Sequence, residues 1–113
     1  MEVELIRQYT LIVDFLGHVL GPDYEIALHE LEDDSNRIIA IANGELTGRH
    51  IGSPLSNKML EFVAGNLYET QNYVLNFESV SATGKTMCSN SMFIKGRHIG
   101  SPLSNKMLEF VAG

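Results

Sequence analysis

Along residues 3–20 apolar side chains recur at Leu5, Tyr9, Ile12, Leu16 and Val19, with Ile6, Val13 and Leu20 widening the stripe. Steps of three and four trace one face of an α-helix, so this stretch predicts an amphipathic helix, ended by Gly21-Pro22-Asp23. The period then changes. From residue 24 to 31 the chain alternates, with Tyr24, Ile26 and Leu28 on one side and Glu25, Ala27 and His29 on the other, the pattern of a half-buried strand. A polar turn at residues 32–36 and the more apolar run 37–42 complete a predicted hairpin.

Asn43-Gly44 tolerates positive φ and predicts a tight turn. Ser53-Pro54 reads as an N-cap with proline at the first helical position, and Leu55, Met59, Leu60 and Val63 predict a short helix that Gly65 ends. Residues 72–80 alternate again, with Tyr73, Leu75 and Phe77 set against Val74, Asn76 and Glu78. A turn at 82–85 and a strand over 86–95 give a second hairpin. Helix, strand pair, helical crossing and strand pair is the order of an α+β domain: an antiparallel sheet with helical crossings and an N-terminal amphipathic helix, in a PAS-like layout.

Residues 48–65 return without a substitution as residues 96–113. Stacked repeats need about three similar units and tolerate divergence between them, so two identical copies point instead to a recent or artificial duplication. The copies meet different contexts: the first follows an Asn-Gly turn, the second an apolar strand. Ser101-Pro102 removes a ladder donor where the sheet wants a fifth strand, and the Leu103, Met107, Leu108 and Val111 stripe is helical in spacing. Local signals therefore predict a final strand cut short at Gly100, and a weakly packed helix over residues 103–111 whose removal changes stability little. On this reading residues 1–100 form the domain and residues 101–113 are the remainder of the duplicated segment.

The chain has 113 residues, enough for one core and not for two. With 8 basic against 14 acidic residues its net charge is −6, which argues against a direct nucleic-acid footprint. Asp14 and His18 interrupt the apolar N-terminal run, so neither a signal peptide nor a membrane span of about 20 apolar residues is expected. Cys88 stands alone, which excludes an internal disulfide, suits a reducing cytoplasmic setting, and predicts a buried, inert thiol.

Residues 79–86 end like a phosphate-binding loop, but Ser79 stands where the first glycine belongs and a strand follows where a helix is needed; a hairpin turn is the better reading. His18, His29, His50 and His98 lack metal-ligand spacing, and the acidic run from Glu30 to Asp34 lacks the spaced oxygens of a calcium loop. Neither a metal, a cofactor nor a catalytic constellation is expected, so a non-enzymatic sensing or interaction domain is the favoured class. Should the sheet enclose a pocket, His29, Asn43, Thr47 and Arg49 are the candidate ligand-binding residues, because strand ends and glycine-lined turns present polar groups to a cavity.

The stretch from Gly21 to Leu31, then Ile39-Ala40-Ile41-Ala42-Asn43-Gly44, Thr47-Gly48-Arg49, Gly52-Ser53-Pro54-Leu55, Asn72-Tyr73 and Ser89-Asn90-Ser91-Met92-Phe93-Ile94, resembles the YheO-like PAS domain family over roughly residues 8–100. That resemblance implies the sensor half of a bacterial transcriptional regulator, with the helix-turn-helix part lying outside this segment. It also implies a small-molecule ligand, such as an amino acid or another metabolite, no nucleic acid or membrane bound by this segment, and a homodimer. The alternative is a dimerisation module that needs no ligand; a small enzyme is less favoured.

Overall fold

The N-terminal stripe folds as an α-helix, α1 (Glu2–Leu20), laid across one face of a five-stranded antiparallel sheet. The structure, a computed structural model, describes residues 2–32, 35–65, 67–81, 83–94 and 105–112. The strands are β1 (Tyr24–Glu32), β2 (Ser35–Ala42), β3 (Tyr73–Val80), β4 (Thr86–Ile94) and β5 (Asn105–Ala112), in the spatial order β2-β1-β5-β4-β3. Between β2 and β3 run a 3-10 turn at Gly44–Leu46 and two short helices, α2 (Asn57–Ala64) and α3 (Leu67–Thr70).

Alternation along the strands divides the core in two. Ile26, Leu28, Ala40 and Ile94 pack under Val13 of α1, with Leu5, Tyr9 and Leu16 alongside. On the opposite face Leu31, Phe93, Met107 and Phe77 meet Leu55 and Met59 of the crossing segment. The contact line of α1 is thus Leu5, Tyr9, Val13 and Leu16. Ile12, Val19 and Leu20, counted inward by the sequence pattern, are exposed with Leu11 and Phe15. The C-terminal turn of α1 comes so close to β2 that a Cβ on Gly17 would lie 2.4 Å from that of Ala42, so only glycine fits there.

The largest departure from expectation is β5. Residues 105–112 form no helix: they are the central strand, paired antiparallel with β1 from Tyr24↔Ala112 to Leu31↔Asn105 and with β4 from Cys88↔Ala112 to Ile94↔Lys106. The sheet is therefore not cut short. The same eight residues, Asn-Lys-Met-Leu-Glu-Phe-Val-Ala, are helical as α2. Magnitudes explain the reversal. Helix propensities differ among ordinary residues by at most about 0.7 kcal/mol each. Burying one Met, Val or Leu side chain contributes about 1.5–3 kcal/mol, and an unfilled slot would leave two sheet edges without partners.

Smaller corrections follow from the same competition between local signal and context. The N-cap of α2 is Ser56, whose hydroxyl accepts from Met59 N–H at 3.3 Å, and not Ser53. Ser53 is drawn to the sheet edge instead: Ile38 N–H donates to its carbonyl at 2.9 Å, and its hydroxyl accepts from His50 N–H at 3.0 Å. Gly65 closes α2 with φ −81°, an ordinary negative value. A bulge between Val74 and Phe77, with Asn76 at φ 55°, puts both of those residues in the core and leaves Tyr73 and Leu75 exposed. Cys88 is exposed, because the face of β4 that carries it extends beyond the cover of α1. β3 and β4 pair as a hairpin, with Ser81 N–H bonded to Lys85 O and Gly84 at φ 85°.

Candidate functional site

The face of β1 that carries Glu25, Ala27 and His29 adjoins the face of β5 that carries Met107, Glu109 and Val111, since Ala27 pairs with Glu109 and His29 with Met107. Three polar side chains, Glu25, His29 and Glu109, meet there. Glu25 and His29 have no exposed surface and Glu109 is 2% exposed. The turn after β2 brings Thr47 and Arg49 onto them: Gly48 takes φ 82°, and the Gly48 N–H bonds to Gly44 O at 2.8 Å.

Arg49 bridges the two carboxylates. Its Nη1 lies 2.7 Å from Glu109 Oε1, its Nη2 contacts Glu25 Oε2, and its Nε donates to the same oxygen at 3.1 Å. The Thr47 hydroxyl donates to Glu25 Oε1 and accepts from the Arg49 backbone N–H and Nε at 3.3 and 3.2 Å. His29 Nε2 donates to Glu109 Oε1 at 2.9 Å, since an ionised carboxylate can only accept; His29 Nδ1 is buried and finds no partner among the described residues.

Burial works against both charges of the central pair. It would lower the Arg49 pKa, but the charges of Glu109 and Glu25 outweigh it and raise Arg49 above its ordinary value. It would raise the Glu109 pKa, but the hydrogen bond from His29 and the charge of Arg49 hold Glu109 below the usual carboxylate range. The pair is therefore ionised at neutral pH.

Next to it lies a cavity of about 300 Å³ between the sheet and the 47–56 connection. Glu109 and Arg49 form its charged end, Met87, Val111, Val80 and Pro54 its apolar wall, and the hydroxyls of Thr47, Ser53, Ser56, Ser79 and Ser81 its polar rim. Among the described residues no group of three His, Cys, Asp or Glu side chains is placed to hold a metal ion, and no helix is long and apolar enough to cross a membrane.

Of the four candidates from the sequence, Thr47 and Arg49 line this cavity, and His29 stands behind Glu109 as its hydrogen-bond donor. Asn43 does not join them. In the left-handed region at φ 59°, it directs its amide Nδ2 at the carbonyls of Gly17, Gly21 and Tyr24, at 3.1, 2.9 and 2.9 Å, and so ties the end of α1 to the start of β1. Glu25 and Glu109 were missed. For Glu25 the signal was present, since it alternates onto the face of His29; for Glu109 no local signal exists, because its counterpart Glu61 lies on the exposed side of α2.

An N-terminal helix, a five-stranded antiparallel sheet and a partly helical crossing whose 47–56 segment walls a cavity on one face define a PAS-like α+β fold, of the sensory or regulatory class. The chain belongs to the YheO-like PAS domain family, whose model matches residues 1–100. It is 40% identical over 62 residues to the uncharacterized protein YheO of Escherichia coli (strain K12), which covers 55% of this chain and 26% of the relative. It is 32% identical over 91 residues to an uncharacterized protein of Haemophilus influenzae, covering 80% of this chain and 37% of that relative. The chain thus spans between about a quarter and two fifths of the lengths of these curated relatives.

Proposed function

We propose that this domain is the ligand-sensing and dimerising part of a bacterial transcriptional regulator and that its ligand, an amino acid or other small metabolite, occupies the cavity beside Arg49 and Glu109. The observation that carries this reading is the cavity itself: about 300 Å³, with one charged end, an apolar wall and a hydroxyl rim. Its size lies at the lower end of the range for small-molecule sites, and a few convergent polar groups in an otherwise apolar pocket are what fix a ligand's orientation. A thermal-shift panel of amino acids and small metabolites tests it. A true ligand at 100 times its dissociation constant adds about 2.7 kcal/mol of stability. Val80→Trp, at an exposed position on the cavity wall, should abolish the shift without unfolding the domain. If no compound shifts the transition, or if Val80→Trp leaves a shift unchanged, the reading fails.

The dimer is supported by the outer side of α1. Leu11, Phe15 and Val19 recur there at steps of four, with exposures of 68%, 61% and 61%, and make a stripe that the sheet does not cover. A second copy packing its own α1 against this stripe would bury it. Solution scattering should report a dimer that Phe15→Glu converts to a monomer. A strict monomer at high concentration would leave the stripe without this role.

A further inference from the structure

Taking the cavity as the ligand site proposed above, we infer that its ligand is a small primary amine, whose ammonium docks on Glu109 while its short alkyl stem lies along Met87 and Val111. The charge count at the buried end is uneven: Glu25 and Glu109 face one guanidinium, that of Arg49. Glu25 has both oxygens engaged, with Thr47 on Oε1 and Arg49 on Oε2. Glu109 does not. Its Oε1 takes both Arg49 Nη1 and His29 Nε2, while among the described residues its Oε2 takes no hydrogen bond, and Glu109 lines the cavity although only 2% exposed.

A carboxylate offers about four lone-pair sites. One held ionised and only 2% exposed is an acceptor for a cation, since opposite charges attract more strongly where burial lowers the dielectric. The low pKa of Glu109 agrees with this. An anionic ligand meets the reverse situation: Arg49 already serves two carboxylates, and a third negative charge would lie beside Glu109. The rim suits an ammonium, which has three donors and no acceptor. The Ser53 and Ser56 hydroxyl oxygens each accept one backbone N–H and keep a second lone pair. The apolar wall and the volume of about 300 Å³ leave room for a stem of a few carbons.

Isothermal titration of the full chain with n-butylamine, 1-butanol and butyrate, at one pH and one ionic strength, varies the head group while keeping the stem. The amine is expected to bind at least about tenfold more tightly than the other two. Glu109→Gln, which keeps the shape and removes the charge, should erase that preference. If that variant fails to fold, the ranking on the unaltered chain still decides, with Val80→Trp locating the binding. Equal or tighter binding of butyrate or butanol overturns the amine assignment and leaves the cavity a ligand site. Absence of binding by all three also overturns it, and the metabolite panel then decides separately whether the cavity senses anything.

Discussion

Glu109→Ala is expected to destabilise the domain by about 3–5 kcal/mol, whereas Glu61→Ala, the same residue in the other copy of the repeat, should stay within about 0.5 kcal/mol of the parent. Glu61 is 72% exposed and faces Lys58 at 3.9 Å, a surface pair of the kind that contributes little. Glu109 is buried between Arg49 and His29, so its removal leaves a guanidinium short of one of its two carboxylates and a ring N–H without its acceptor. Urea denaturation of the two variants makes the comparison; equal losses would mean that β5 does not occupy the slot between β1 and β4. The pH dependence has a fixed sign. The folded pKa of Glu109 lies below its unfolded value, so its contribution is complete above the unfolded value and disappears as the pH falls through the folded one. Arg49, raised in the folded state, contributes below the ordinary arginine range and is constant across the acid limb. Glu109→Gln should therefore flatten the acid side of the stability profile.

Leu108→Pro is expected to prevent folding, whereas Leu60→Pro, its counterpart in the first copy, should cost about 3 kcal/mol and leave a folded chain. Leu108 pairs with Leu28 on one side and Met92 on the other. Proline there removes a ladder donor in the middle of the sheet, where it is not tolerated, and parts β1 from β4. Leu60 sits inside α2, where its N–H donates to Ser56 O at 2.9 Å; losing that bond disturbs a helix at the periphery and not the sheet. Circular dichroism and the dispersion of amide resonances distinguish the two outcomes. A folded Leu108→Pro protein would show that residues 105–112 are not the central strand.

Much of this architecture was legible from its periods. The helix over residues 2–20 and the β1–β2 hairpin form where period 3.6 and period 2 place them, although Ile12, Val19 and Leu20 stay exposed and β1 is buried on both faces where alternation predicts one. The alternation that set Glu25 and His29 opposite Tyr24 and Ile26 also placed two members of the buried cluster on one side of the sheet. Thr47 and Arg49 were reachable because a glycine-bounded turn after a strand end must present its side chains to whatever the sheet encloses.

Asn43, chosen on the same grounds, went elsewhere, because a left-handed residue beside a helix end finds three carbonyls within reach of its amide before it finds a cavity. The bulge that joins Val74 and Phe77 in one core depends on Asn76 accepting φ 55° and on its N–H finding the Asn90 side chain across the hairpin, a partner that strict alternation does not anticipate.

The repeat separates the two kinds of information most cleanly. By itself the sequence determined that residues 57–64 and 105–112 have one and the same set of local preferences, and it determined the helix, the hairpins and the polar face of β1. Tertiary structure alone decided that one copy is a helix packed through Met59 on one face of the sheet and the other the central strand, and with that it supplied Glu109 as the partner of Arg49 and His29. The reason is one of scale. Local preferences spread over eight residues amount to a few kcal/mol at most, whereas a slot between two open strand edges rewards whichever segment can bury side chains on both faces and complete two ladders at once.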